Sequence, residues 1–121
     1  WSWVPDVQVA NQRMWDCITS GHLASSVSLR RATAMQVAAP GTLLGELIGR
    51  SPQWSGSDLN DPDTELLHSF VAKWLEGGHI TDDVFAPALE RFGRPALVEI
   101  QLITGWMRAQ ASLAMAAGLT A

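Results

Sequence analysis

Apolar residues recur at helical spacing along most of the chain, and Gly and Pro punctuate the pattern. The spacing predicts helices over residues 5–20 and about 24–39, followed by a short helix over 42–48. Pro, Gly and Ser dominate residues 49–61, which are predicted to form a surface loop. No sustained alternation of polar and apolar residues bounded by hairpin turns occurs, so no strand is predicted.

The second half of the chain carries clear helix-start and helix-stop signals. A helix is predicted to begin at Asp61 as the cap and Pro62 as the first helical residue, and to end at Gly77. Thr81 is predicted to cap the next helix, which stops at Gly93. The buried stripes of these two helices are predicted to be Leu67, Phe70, Val71 and Trp74, then Val84, Phe85, Ala88, Leu89 and Phe92.

The last predicted helix, from Pro95 to about Ala117, has two apolar stripes instead of one. The first stripe includes Leu97, Ile100, Thr104, Met107, Ala111 and Ala114. The second includes Val98, Leu102, Trp106, Ala109, Leu113 and Ala117. A helix that is apolar on two sides is covered on two sides, so this pattern predicts that a second copy of the chain covers one of them. The sequence therefore predicts an all-α homo-oligomer.

Composition narrows the class of protein. The chain of 121 residues is long enough for one domain with one core, and 47% of it is apolar. Its net charge is −4 and it has no basic block, which excludes a nucleic-acid backbone as the expected partner. No apolar run approaches the roughly 18 residues of a membrane span, so no membrane partner is expected. A single cysteine fits a reducing, cytoplasmic environment.

The N-terminal residues, Trp-Ser-Trp-Val-Pro, do not form a signal peptide, and they lack an initiator methionine. The chain is therefore expected to begin inside a longer natural sequence.

Five segments of the second half resemble one family. They are residues 61–71, with the sequence Asp-Pro-Asp-Thr-Glu-Leu-Leu-His-Ser-Phe-Val, and residues 80–85, 89–93, 97–100 and 114–119. In the order of elements and in apolar pattern the chain is similar to the carboxymuconolactone decarboxylase and AhpD-like alkylhydroperoxidase superfamily. The resemblance implies a single AhpD-like domain of about six helices that assembles as a trimer or as a hexamer of such trimers.

The family's chemistry lies in the first half, where this chain departs from the pattern. Peroxidase-type members carry Cys-x-x-Cys followed by a nearby His. In this chain Met14 occupies the position of the first cysteine and Cys17 that of the second. His22 comes one residue later than the histidine of the family pattern. An alternative alignment sets residues 23–27 against the Glu-Trp-x-x-His pattern of decarboxylase-type members, and then none of the defining side chains is present. Both alignments stay open.

The resemblance implies a cofactor-independent enzyme that acts by acid–base chemistry on a small cyclic or aromatic carboxylate or lactone. His22 is the predicted general base or acid, Arg30 or Arg31 the predicted carboxylate anchor, and Trp15 a predicted wall of the pocket. Two alternatives remain: a thiol-dependent peroxidase that uses Cys17 through a sulfenic acid, and a non-catalytic structural or ligand-binding member.

The remaining polar residues leave further alternatives. The three histidines, His22, His68 and His79, lack metal-ligand spacing, so no metal site is predicted within one chain. His79 is predicted to be a turn residue at a helix C-terminus. Polar residues interrupt the last helix, and they are either contacts in a pocket or a solvated strip at a subunit boundary: Glu99, Gln101, Arg108 and Ser112. Of the six tryptophans, Trp74 and Trp106 are predicted to be core residues.

Overall fold

The computed structural model describes residues 5–20, 22–38, 59–77 and 79–116. Within these ranges the chain forms five α-helices and no β-strand, which confirms the all-α prediction. The helices are α1 (Pro5–Ser20), α2 (Val27–Ala38), α3 (Asp61–Leu75), α4 (Asp82–Phe92) and α5 (Arg94–Ala116). The helix predicted over residues 42–48 lies outside the described residues, as does most of the loop predicted over 49–61. No helix in the described ranges is both long and apolar enough to cross a membrane.

Hydrogen bonds at the helix starts explain two small differences from the predicted boundaries. α2 begins three residues later than predicted because the Ser26 Oγ accepts a hydrogen bond from the Leu29 N–H at 3.1 Å and so caps the helix. α3 is capped by Asn60 instead of Asp61, since the Asn60 Oδ1 accepts the Asp63 N–H at 2.9 Å. Pro62 occupies the first turn, where it needs no hydrogen-bond partner.

The break between α4 and α5 depends on Gly93. Its φ of 85° and ψ of 157° lie in a region that is open to glycine and strained for other residues. The Gly93 N–H still donates to the Leu89 carbonyl at 2.9 Å, which closes the end of α4. α5 then begins immediately at Arg94, so Gly93 is the only residue between the two helices.

α5 passes through two neighbouring apolar clusters. The first lies between α2, α3, α4 and the first half of α5, and consists of Leu29, Leu67, Phe70, Val71, Ala88, Ala96, Leu97 and Ile100. The second joins α1 and α2 to the second half of α5 through Ile18, Ala34, Ala38, Ile103 and Met107. Full burial of one large apolar side chain contributes about 1.5–3 kcal/mol, so these clusters supply the main stabilisation of the fold.

The two apolar stripes predicted on α5 have different environments. In the first stripe, Leu97, Ile100, Thr104 and Met107 are buried, with Ile100 and Met107 at 0% exposure. In the second stripe, Val98 is 47% and Leu102 is 67% exposed in the single chain, whereas Trp106 is partly buried.

The prediction that Trp74 belongs to the core was wrong. Its side chain is 38% exposed, because the stripe of α3 that packs against the core passes from Val71 to Leu75 and leaves Trp74 at its edge.

Candidate functional site

Cys17 and His22 lie on either side of the end of α1. Cys17 is exposed in the last turn of the helix. α1 ends at Ser20, so His22 belongs to the connection with α2, where its side chain is also exposed. Within the described ranges, no hydrogen bond or ion pair orients the His22 imidazole. The two residues are therefore not held on one helical face.

Arg30 is the most deeply buried charged side chain among the described residues. It lies on α2 at 1% exposure. Burial lowers the pKa of Arg30, whereas the negative charges of Glu99 and, to a smaller extent, an ionised Cys17 raise it. The guanidinium thus lies within electrostatic reach of the only thiol of the chain and of a carboxylate on α5. Arg31, the neighbouring cation, is half-buried.

Glu99 fixes the connection between α1 and α2. Its carboxylate accepts hydrogen bonds from the Ala24 N–H at 2.9 Å and the Ser25 N–H at 2.7 Å. It also accepts one from the Ser25 hydroxyl at 2.6 Å. Burial acts to raise the pKa of Glu99, but the Ser25 and Ala24 hydrogen bonds and the charge of Arg30 outweigh it, so the pKa lies below the ordinary value. The carboxylate is therefore held ionised over the start of α2.

Two further contacts attach α1 to α5 beside this connection. The Trp15 and Trp106 rings pack with centroids 5.8 Å apart and planes tilted by 36°. The Gln110 side-chain amide donates to the Asn11 side-chain oxygen at 2.8 Å. Trp106, predicted as a core residue, is partly buried against the second apolar cluster. Trp15 is half-buried in the same place, so part of its ring is accessible to solvent.

A small polar cleft of about 210 Å³ opens beside the start of α2. Ser25, Ser26 and Leu29 line one side, and the Asp63–Arg91 ion pair lines another. Arg91 donates two hydrogen bonds to the Asp63 carboxylate, from Nε at 2.7 Å and from Nη2 at 3.0 Å. The hydrogen bond from Arg91 is the main reason why the pKa of Asp63 is lowered, against the opposing effect of burial. This bidentate pair ties α4 to the start of α3.

A larger groove of about 420 Å³ lies between the end of α3, the start of α4 and the first half of α5. Its described lining consists of Trp74, His79, Ile80, Asp82, Phe85 and Gln101. None of the predicted site residues lines this groove or the polar cleft, as far as the described residues show.

The structure separates the polar residues of α5 that the sequence grouped together. Glu99 binds the connection before α2, Gln101 lines the groove, and Arg108 donates to the Leu75 carbonyl at 3.1 Å. Sequence reasoning did not identify the role of Glu99, because its partners lie 74 and 75 residues earlier and no local spacing connects them. In the described part of the chain, no group of three or more His, Cys, Asp and Glu side chains is arranged to hold a metal ion.

Comparison with known proteins adds no relative: no family model matches the sequence, and no curated protein or solved structure is significantly similar to it.

Proposed function

We propose that this protein is a thiol-dependent peroxide reductase in which Cys17 is the reacting group. The observation that carries the proposal is the exposure of the Cys17 thiol in the last turn of α1, with Arg30 on the neighbouring helix α2. A thiolate is the reactive form of cysteine, and a neighbouring cation stabilises it. Arg30 is suited to this role because its guanidinium stays charged at any physiological pH.

The proposed reaction proceeds through one sulfur atom. The Cys17 thiolate attacks an oxygen of the peroxide, the O–O bond breaks, and an alcohol or water leaves after taking up a proton. Cys17 becomes a sulfenic acid. The chain contains one cysteine, so an external low-molecular-weight thiol must condense with the sulfenic acid, releasing water and forming a mixed disulfide. A second molecule of that thiol then restores Cys17 and leaves as the external disulfide.

Glu99 and His22 have different proposed roles. Glu99 holds the Ala24–Ser25 segment and balances part of the Arg30 charge, so it is a positioning residue and not a catalytic one. His22 is the proposed proton donor to the leaving oxygen, since it is exposed and lies close to Cys17 along the chain.

The geometry gives less support to the activity that the resemblance implies. That activity is acid–base catalysis on a cyclic or aromatic carboxylate or lactone. That reaction needs an accessible cationic anchor. Arg30 is 1% exposed, and Arg31 is half-buried. These observations favour the thiol reaction over the acid–base reaction.

We also propose that the exposed stripe of α5 is a contact between copies of the chain. Val98, Leu102, Gly105 and Ala109 form an outward strip without charge, and Leu102 is the most exposed large apolar residue of the described ranges. Light scattering coupled to gel filtration tests this proposal. Leu102→Arg should shift the protein to monomer, and Val9→Arg, at an exposed position on α1, should not. A wild-type protein that is monomeric at high concentration would refute it.

The thiol function is tested by treating the reduced protein with hydrogen peroxide or cumene hydroperoxide in the presence of dimedone. Mass spectrometry should find the dimedone adduct on Cys17. The adduct should disappear in Cys17→Ser, and consumption of peroxide with an external thiol should disappear with it. His22→Ala should slow peroxide consumption but leave the adduct.

Two results decide against the thiol function. If excess peroxide leaves Cys17 as a thiol in the folded protein, the peroxidase proposal is rejected. If Cys17→Ser consumes peroxide at the wild-type rate, the activity belongs to another group. In either case the non-catalytic alternative and the acid–base alternative remain, and a screen of lactones and aromatic carboxylates with His22→Ala as control separates those two.

A further inference from the structure

The groove between α3, α4 and α5 combines an aromatic wall with one carboxylate. The Trp74 side chain is 38% exposed, although its helical spacing from the buried Leu67 and Phe70 places it near the face of α3 that packs against the core. Phe85 and Ile80 complete the apolar lining, and both are half-buried. The volume of about 420 Å³ is within the range of small-molecule sites. An exposed indole beside a cavity of this size indicates a surface that a ligand can cover.

The core supports the groove from behind. Phe85 packs against the buried Phe70 with ring centroids 6.3 Å apart. Ile80 packs against the first apolar cluster. Arg108 holds the end of α3 through the Leu75 carbonyl, which fixes the backbone next to Trp74. The walls are therefore formed before any ligand binds, which reduces the ordering cost of binding.

The charge of the groove comes from Asp82. It is the only carboxylate among the described lining residues, and none of them is a lysine or an arginine. Within the described ranges, no hydrogen bond or ion pair engages the Asp82 side chain. Neighbouring charged residues outside the lining have partners of their own. The Lys73 Nζ forms an ion pair with the Glu76 carboxylate at 3.6 Å, and the Asp83 carboxylate accepts a hydrogen bond from the Thr81 hydroxyl. The Asp82 carboxylate is thus available to a positively charged group.

We propose that this groove binds a small organic cation with an aromatic or other flat apolar body, such as an arylalkylammonium ion. The Asp82 carboxylate would pair with the ammonium group. The Trp74 ring would contact the apolar body or the cation, because the face of an indole attracts positive charge. The amide of Gln101 and the imidazole of His79 supply further hydrogen-bonding groups. An anionic ligand of the same shape is disfavoured by Asp82.

This inference goes beyond the proposed thiol function and does not depend on it. None of the described lining residues of the groove comes from α1 or α2, which carry Cys17 and Arg30. Loss of peroxide reactivity in Cys17→Ser should therefore leave cation binding unchanged, so the failure of one proposal is distinguishable from the failure of the other.

A titration followed by two-dimensional NMR of the full chain tests the proposal. The probe is phenethylammonium, and the matched neutral probe is 2-phenylethanol, which has the same ring and chain length. Phenethylammonium should bind with a roughly millimolar dissociation constant and shift the Trp74 indole and Gln101 amide signals. The alcohol should bind about fivefold more weakly, because it lacks the charge that pairs with Asp82.

Two variants and one control localise the effect. Asp82→Asn should weaken phenethylammonium binding about fivefold and leave 2-phenylethanol binding unchanged. Trp74→Leu should weaken the binding of both probes. Asp61→Asn is the matched control, because Asp61 is likewise the first residue of a helix and is exposed, but does not line the groove. The proposal is overturned if the ammonium and the alcohol bind equally well, if Asp82→Asn binds the ammonium as the wild type does, or if the shifts occur away from the groove.

Discussion

Glu99 and Ser25 lie 74 residues apart in the sequence and are joined by two hydrogen bonds to one carboxylate oxygen of Glu99, at 2.7 and 2.6 Å. With the Ala24 N–H on the other oxygen, the side chain satisfies two backbone donors that precede α2. This contact determines how the chain passes from the end of α1, which carries Cys17, to the start of α2, which carries Arg30.

Removal of the Glu99 carboxylate should destabilise the fold. Glu99→Ala leaves the Ala24 and Ser25 donors without the Glu99 acceptor and removes one negative charge that acts on the buried Arg30, so we expect a loss of about 1–3 kcal/mol. Ser25→Ala removes the hydroxyl alone and should cost about 1 kcal/mol. Urea unfolding followed by circular dichroism measures both. Glu90→Gln, at an exposed position on α4, is the control and should remain within about 0.5 kcal/mol of wild type. A Glu99→Ala variant as stable as the control would contradict the role given to this residue.

Stability should fall in mild acid. The folded-state pKa values of Glu99 and Asp63 lie below the ordinary values of 4.5 and 3.8 that apply to the unfolded chain. As the pH falls, the unfolded chain therefore binds protons first. The contribution of both carboxylates to the free energy of unfolding is fully present above their pKa values in the unfolded chain. It is lost as the pH falls through their pKa values in the folded protein. Urea midpoints measured from pH 7 downward should decline below about pH 4.5.

Neutral variants identify which groups cause that decline. In Asp63→Asn and in Glu99→Gln the slope of stability against pH should be shallower in this window. Glu65→Gln, an exposed position on α3, should keep the wild-type slope. Equal slopes in all three variants would mean that other carboxylates govern the acid response.

The Trp15–Trp106 contact should contribute coupling energy between α1 and α5. At a centroid separation of 5.8 Å, the two rings should couple by about 0.5–1.5 kcal/mol beyond the area that they bury. A double-mutant cycle with Trp15→Leu and Trp106→Leu measures it. The same cycle with Trp15→Leu and Trp74→Leu should be additive, because Trp74 lines a groove to which α1 contributes no described residue.

Two glycine substitutions should change stability in opposite directions. Gly93→Ala forces a side chain into a backbone with φ of 85° and should cost about 1–3 kcal/mol, although a Cβ there meets only Pro95 Cδ at 3.9 Å. Gly105→Ala lies inside α5 with no atom within 4 Å of the new Cβ, so it should stabilise the monomer by about 0.5–1 kcal/mol. Thermal unfolding distinguishes the two. If both variants stabilise the protein, backbone strain at position 93 does not destabilise the alanine variant, and the prediction is wrong.

Local patterns predicted the helices well. α1 has the predicted bounds, and α5 begins one residue before the predicted Pro95. Caps and breakers act within a few residues of the helix end that they determine, so Gly77 and Gly93 were recognised from neighbouring residues alone, and the cap of α3 was predicted one residue away, at Asp61 instead of Asn60. Trp74 shows the limit of this reasoning. Helical spacing gives the direction of a side chain, but the neighbouring helix decides whether anything covers it.

The candidate site was predicted only in part. Cys17, His22 and Arg30 were identified by residue type and by a resemblance, and they remain the residues on which the functional proposals depend. Their environments were not predicted. Arg30 is 1% exposed although it is charged, and the hydrogen bonds of Glu99 cross most of the chain. The Asp82–Trp74 groove was not predicted at all, because its lining comes from three helices and one connection.

The sequence by itself determined that the described segments are helical, that α5 has two apolar stripes, and, to within a few residues, where the helices begin and end. These properties depend on interactions between residues at most a few positions apart, and on the burial of one apolar face. The tertiary structure alone decided that Arg30 is inside, that Glu99 holds the connection before α2, and that Trp74 faces a groove. Each of these depends on which helices lie side by side, and spacing along the chain does not encode those distances.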